Sequence, residues 1–253
     1  MTVSTLYKTL DEKIPRTLSC EWDNDGLMCC ANGSKEVKKV LISLDVTGDI
    51  VDLACDNGYD LIVSHHPFIF KGIKSINDQS FICEKAIKLI KNEVSVFSFH
   101  TRLDALSGGV NDVLANACGI KNTVPFGEDN MGRIGELDDE TALDALAKTV
   151  KEALGCKGIF VANGGRTCKK VALLGGGGSD YIGAAISAGA DTFISGELKY
   201  HDLVDAPDMG INIIEAGHFH TEFPVCATLK KMIEDIDGNI ACDIVNSNKI
   251  KLI

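Results

Sequence analysis

Short apolar runs alternate with amphipathic stretches along most of the chain. Val40–Ser43 and Val171–Leu174 are apolar runs of strand length, and each is followed by a turn, a helical stretch and a second apolar run that ends at Ser64 or Ser195. Strand, helix and strand in this order form a βαβ unit, in which the crossover helix makes the two strands parallel. The pattern therefore predicts an α/β fold with parallel sheet.

The two βαβ units are copies of one another. Lys38–Ser64 aligns with Lys169–Ser195 without a gap, and eight of the 27 positions are identical. A further helical stretch and a further strand follow each copy. A chain of 253 residues has room for two modest domains. We therefore expect two related α/β domains built from a duplicated βαβ unit, with a boundary near Pro125 that separates residues 1–125 from residues 126–253.

The charge of the chain limits its partners. With 36 acidic and 25 basic residues, the formal net charge is −11. Nucleic acid and anionic membranes bind clustered Lys and Arg, so neither is expected as a partner. No run approaches the roughly 18 apolar residues of a membrane span, and the first 15 residues resemble an amphipathic helix, not a signal peptide. These features, with ten cysteines that we interpret as reduced thiols, predict a soluble protein of the cytoplasm.

All of the histidines lie at or just beyond the carboxyl ends of predicted strands. The six are His65, His66, His100, His201, His218 and His220. Ligands of open parallel sheets bind at this edge, where the loops diverge. The histidines therefore indicate where a site lies.

The residue types and their spacing favour a metal site. His65 and His66 are adjacent, so their side chains diverge and can reach two different ions. Asp104 and Glu222 each follow a histidine by four positions, which places an imidazole and a carboxylate on one face of a helical turn. Imidazole and carboxylate without thiolate suit Zn, Fe, Mn or Co and not a closed structural zinc site.

The predicted ligands are His65, His66, Asp104, His218 and Glu222. Five side chains are too few to saturate two divalent ions, so one carboxylate is expected to bridge them. Glu222 is the best candidate for this bridge. Positions that remain open to water are typical of a hydrolytic two-metal centre with ions about 3.5–4 Å apart.

Other residues leave alternatives open. His100 can orient a ligand, contact a substrate or only cap a turn, while His201 and His220 are expected behind the ligands or at the surface. The run Gly175–Gly178 joins a strand to a helix, which fits either a phosphate loop or a tight turn that requires glycine. Trp22 is expected to be the aromatic side chain that anchors its loop.

Five segments in fixed order carry a resemblance to a known family. They are WDNDGL (22–27), SHHPFIF (64–70), HTRLDA (100–105), SGELKYHD (195–202) and GHFHTE (217–222). Together they span nearly the whole chain and resemble the GTP cyclohydrolase 1 type 2 homologue family. Arg102 departs from that pattern, since the family more often has a small polar residue there. This departure bears on the shape of the pocket and not on metal binding.

The resemblance implies a fold, an assembly and an activity. It implies two interlocked α/β domains, a homohexameric ring, and two divalent ions held by the same five ligands that the spacing predicts. It also implies a metal-dependent hydrolase that opens the ring of a small molecule such as a purine nucleotide. The catalytic residues stay unassigned. The alternative is a ring protein without enzymatic activity that binds metal or a protein partner.

Overall fold

The computed structural model describes residues 1–253 and contains two compact α/β units. The first unit comprises Met1–Leu103 and Cys226–Lys249, and the second comprises Asp104–Val225 with the last four residues. The chain passes from the first unit to the second after Leu103, returns at Cys226 and leaves again after Lys249, so each unit is built from two separate segments. Two related α/β domains are thus confirmed.

Eleven strands and ten α-helices make up the two units. The strands are β1 (Gly26–Cys29), β2 (Lys39–Ser43), β3 (Leu61–Ser64), β4 (Ser95–Ser98), β5 (Lys121–Phe126), β6 (Gly132–Thr141), β7 (Phe160–Ala162), β8 (Cys168–Gly177), β9 (Thr192–Glu197), β10 (Asn212–Glu215) and β11 (Ala241–Ile244). The helices are α1 (Val3–Lys13), α2 (Gly48–Asp56), α3 (Phe81–Lys91), α4 (Thr101–Ala105), α5 (Val110–Ala117), α6 (Leu143–Ala153), α7 (Ile182–Ser187), α8 (Tyr200–Met209), α9 (His218–Glu222) and α10 (Val225–Ile236). None of these helices has the length and apolar character that crossing a membrane requires.

The sheet of the first unit has the strand order β1-β4-β3-β2-β11. Strands β11, β2, β3 and β4 are parallel, and β1 is antiparallel at the edge. Every residue of β3 and β4 is buried, as expected of parallel strands covered on both faces. Leu41, Ile62 and Val96 from three neighbouring strands pack with Ile50 of α2 and Leu89 of α3 in one core.

The sheet of the second unit has the order β5-β6-β8-β9-β10-β7. Strands β8, β9 and β10 are parallel, whereas β5, β6 and β7 are antiparallel additions at the two sides. Val171, Ile194 and Ile214 from the parallel strands pack with Leu146 and Val150 of α6 in the core. The predicted repeat is therefore β2-α2-β3 in one sheet and β8-α7-β9 in the other.

Identical residues of the repeat have a structural cause. The Asp60 carboxylate accepts hydrogen bonds from the backbone N–H groups of Lys38 and Lys39 at 2.8 and 3.0 Å. Asp191, at the matching position of the second copy, accepts from the two corresponding lysine N–H groups at 2.9 and 2.7 Å. Each aspartate thus joins the starts of two neighbouring parallel strands and satisfies exposed donors there.

The division of the chain differs from a cut near Pro125. Pro125 lies inside β5, whose residues pair with β6 as the edge of the second sheet, a position that tolerates proline. The first unit ends at Leu103 and regains residues 226–249, because β11 pairs with β2. The contacts therefore place the boundary about one helix earlier than the sequence pattern does.

Candidate metal centre

In the first unit, three histidines follow the carboxyl ends of adjacent parallel strands. His65 and His66 come directly after β3, and His100 comes two residues after β4. One ring nitrogen from each of the three lies within 4.8 Å of the others. The predicted grouping of histidines at this sheet edge is therefore present within the unit, and it includes His100.

Hydrogen bonds fix the rings of the adjacent pair. Nδ1 of His65 lies 2.9 Å from the carbonyl oxygen of Phe99, and Nδ1 of His66 lies 2.7 Å from a carboxylate oxygen of Asp45. Both partners only accept, so each Nδ1 carries the proton and each Nε2 carries the lone pair. This tautomer is the one that metal-binding histidines adopt when a carbonyl or carboxylate holds the other nitrogen.

Asp23 holds His100 in the same way. Its carboxylate lies 2.9 Å from Nδ1 of His100 and accepts from the backbone N–H and hydroxyl of Thr101 at 3.0 and 2.6 Å. Burial alone raises the pKa of Asp23, but the hydrogen bonds from His100 and Thr101 outweigh it and lower the pKa to about 2. The carboxylate therefore stays ionised and keeps the His100 ring in one orientation.

In the second unit, α9 presents a histidine and a carboxylate one turn apart. Nε2 of His218 lies 3.2 Å from a carboxylate oxygen of Glu222, and Nδ1 of His218 lies 3.1 Å from Glu197 at the end of β9. A carboxylate oxygen of Asp104 lies within 4.8 Å of one from Glu222. The predicted ligands of this unit are thus brought together, and His218 has the same Nδ1 arrangement as the pair in the first unit.

The glycine run lies against these ligands. Gly176 has φ +66°, and a Cβ there would meet a carboxylate oxygen of Glu222 at 2.1 Å and Nε2 of His218 at 3.2 Å. A Cβ on Gly178 would meet the hydroxyl of Ser195 at 2.2 Å. Glycine is therefore required here for the positive φ and for the close approach of the backbone to Glu222.

Several site residues were not identified from the sequence. Asp45, two residues after β2, and Glu197, the last residue of β9, orient histidines. Asn111 links the site loops of the second unit. The amide of Asn111 donates to the carbonyl of Asp104 at 3.2 Å and accepts from the N–H of Gly175 at 2.7 Å. The available signal was an acidic residue at the carboxyl end of a strand beside the histidines.

Arg102, the departure from the family pattern, lies in the core of the first unit. Its side chain is fully buried and donates to the carboxylates of Asp11 and Asp25 at 2.6 and 2.9 Å and to the carbonyl of Ile14 at 2.8 Å. The guanidinium also lies 4.7 Å from the centre of the Phe99 ring. Arg102 therefore joins α1 to the loop before β1, and its bulk is accommodated in the core.

The remaining histidines lie apart from these contacts. His201 is exposed on α8, where its ring packs against Tyr200. His220 is half-buried, and its Nδ1 lies 3.3 Å from the carbonyl oxygen of Leu154. These surroundings give His201 a surface position and His220 a structural hydrogen bond.

The model of the Duf34/NIF3 (NGG1p interacting factor 3) family matches residues 1–251. The chain belongs to this family. Among NIF3 relatives, a protein named GTP cyclohydrolase 1 type 2 homolog from Clostridium perfringens is 32% identical, with 95% of this chain and 94% of that protein aligned. The homolog of the same name from Clostridium acetobutylicum is also 32% identical, over 92% of this chain and 89% of its own. The resemblance carried by the five segments is confirmed.

Solved structures of NIF3 relatives have the same fold. A Staphylococcus aureus hypothetical protein is 27% identical with a TM-score of 0.87, covering 100% of this chain and 99% of its own. The structure described as reduced HcgD from Methanocaldococcus jannaschii is 26% identical with a TM-score of 0.84. The alignment covers 96% of this chain and 97% of that one. The fold is therefore shared along nearly the full length of both chains.

Proposed function

We propose that this NIF3 protein binds two divalent ions through His65, His66, Asp104, His218 and Glu222, with Glu222 shared between the ions. The observation that carries the proposal is the hydrogen bonding of His65, His66 and His218. Each has an acceptor 2.7 to 3.1 Å from its Nδ1. The lone pair of each ring then resides on Nε2, as metal coordination requires.

The donor set also fits a metal by its chemistry. Imidazole and carboxylate groups suit Zn, Fe, Mn or Co, and no thiolate takes part. Asp104 and Glu222 are buried, with only 8% and 4% of their surface exposed. Burying two negative charges side by side is costly, and divalent ions would offset that cost.

We further propose that the centre hydrolyses a small molecule, with a purine nucleotide as the first candidate. Bound ions would supply Lewis acidity for a hydrolytic reaction. Asp23 keeps the proton of His100 on Nδ1, so Nε2 is the His100 atom that can accept and return a proton during the reaction. The name of the clostridial relatives supports GTP as the first substrate to test.

Metal stoichiometry is the first test. Protein that is stripped with a chelator and reloaded should contain two ions per chain by elemental analysis. Glu222→Ala should lower the occupancy of both sites, whereas His66→Ala should mainly empty one. His201→Ala, at an exposed histidine, is the matched control and should retain both ions. Fully loaded wild-type protein with at most one ion would refute the two-ion proposal.

Turnover tests the hydrolase separately. Metal-loaded wild-type protein should hydrolyse GTP or a member of a phosphoester panel, and Asp104→Ala should abolish that activity while the circular dichroism spectrum is retained. Equal activity of the two proteins would show that the centre is not responsible. Full metal occupancy without turnover of any compound would favour the metal- or partner-binding alternative.

Assembly is a further prediction. We propose a homohexamer, as the family resemblance implies, held by apolar contacts. Large apolar side chains are exposed, among them Phe160 and Tyr200 at 67% and 74%. Because salt screens charge pairs and leaves apolar contacts intact, the mass measured by light scattering should stay near six times 27.1 kDa in high salt. A mass of one chain at micromolar concentration would exclude the ring.

A further inference from the structure

An exposed aromatic pair borders the histidines of the first unit. Trp22, the only tryptophan, is 63% exposed and Phe70 is 47% exposed. Their ring centres are 6.2 Å apart at an interplanar angle of 74°, and each ring centre lies 6.2 Å from that of His100. Trp22 therefore contacts Phe70 and His100 at the surface and leaves most of its indole in solvent.

Polar contacts, not the indole, hold the Trp22 loop. The fully buried carboxylate of Asp23 binds Thr101 and His100. The side-chain amide of Asn24 donates to the carbonyl of Ile69, the residue before Phe70. The segments that carry the two exposed rings are thus tied to each other and to His100.

This arrangement keeps a large apolar surface in water. An indole gains substantially from burial, and exposed aromatic side chains grouped beside polar chemistry mark binding sites. Here the flanking residues Asp23 and Asn24 are committed to fixed partners, so the loop presents Trp22 at a defined place. The surface is therefore preorganised for a ring-shaped ligand.

We propose that Trp22 and Phe70 form a stacking surface for a nucleobase of the substrate, next to His100. The proposal rests on the small-molecule function proposed above and adds the part of the molecule that is recognised. Planar bases stack on aromatic side chains whatever their hydrogen-bonding edges, so recognition is directed to the aromatic ring and not to the sugar or phosphate.

Fluorescence of the single tryptophan tests the proposal directly. Guanosine, adenosine and uridine should be titrated into metal-loaded and metal-stripped protein with excitation at the red edge of the indole band. We expect saturable quenching by at least one nucleoside, with or without metal, and none by ribose 5-phosphate. Tetramethylammonium, a cation that also binds indole faces, should not compete with the nucleoside.

Substitution of Phe70 keeps the reporter in place. Phe70→Ala should weaken nucleoside binding by roughly 5- to 150-fold, which corresponds to ~1–3 kcal/mol of base–aromatic stacking. Phe160→Ala removes a phenylalanine of the second unit that is 67% exposed, more than Phe70 at 47%, and should leave the nucleoside affinity unchanged. Trp22→Ala, followed by calorimetry, should cause a loss similar to that of Phe70→Ala.

The outcomes separate this inference from the metal function. If the protein is found to hold no metal but still binds a nucleoside, the stacking surface is supported and the metal centre is refuted. Normal metal content without quenching by any nucleoside would overturn the stacking surface alone, as would equal affinity of wild type and Phe70→Ala. If dilution shifts the emission maximum of Trp22 and lowers the molecular mass together, the surface is a contact between copies of the chain. That result would also overturn the proposed stacking surface.

Discussion

Arg102→Ala should destabilise the first α/β unit by about 3–5 kcal/mol, the usual cost of removing one partner of a buried ion pair. The guanidinium is fully buried and binds Asp11, Asp25 and the Ile14 carbonyl. Asp25 is itself only 2% exposed, so the substitution leaves a buried carboxylate without its cation. Urea unfolding followed by the fluorescence of Trp22, which lies in the same unit, measures the change.

Two further variants define the cause of that loss. Lys38→Ala removes a cation whose side chain is 76% exposed and should change the free energy of unfolding by less than about 0.5 kcal/mol. Arg102→Lys keeps the positive charge but loses the planar guanidinium with its several N–H donors. Its free energy of unfolding should therefore lie between those of wild type and Arg102→Ala. A stability of Arg102→Ala within about 0.5 kcal/mol of wild type would contradict the buried network.

The parallel core of each unit could be predicted because its signals are local. A buried parallel strand is a continuous apolar run, and the repeat shows two such runs joined by a helix in each half. The matching Asp60 and Asp191 were visible as identities, although their role in binding backbone N–H groups at strand starts became clear only from the contacts. Identity within the repeat therefore marked a structural need and not the ligands.

The division into units could not be predicted because it depends on distant pairing. Strand β11 joins the first sheet through β2, about two hundred positions earlier in the chain, and three of its four residues are not buried. Strand β5 is likewise mostly exposed. Neither strand has the apolar pattern that reveals a strand, so the boundary that the repeat predicts falls within β5.

The metal-binding candidates were recognisable because histidine is rare in this chain. Six histidines at strand ends are a strong signal, whereas any one of 36 acidic residues is a weak one. The carboxylates that orient the histidines, such as Asp45 and Glu197, therefore went unidentified. The burial of Arg102 was likewise not predictable, because its position within the HTRLDA segment does not reveal that its side chain enters the core.

Asp45→Ala should weaken metal binding by about 10- to 100-fold, the usual effect of removing a residue that orients a metal-binding histidine. Asp45 accepts from Nδ1 of His66 at 2.7 Å and is itself held by the hydroxyl of Ser247 at 3.0 Å. Without the carboxylate, the ring can rotate and can place its proton on Nε2, where it blocks coordination. Competition with a chelating dye measures the affinity of each site.

The loss should fall on one ion, because Asp45 orients His66 and leaves His65 with its own acceptor, the Phe99 carbonyl. Asp45→Asn retains a neutral acceptor oxygen and should recover part of the affinity, whereas Asp78→Ala, at an exposed aspartate of the same unit, should have no effect. Equal weakening of both ions, or wild-type affinity in Asp45→Ala, would show that His66 is not oriented for coordination by this carboxylate.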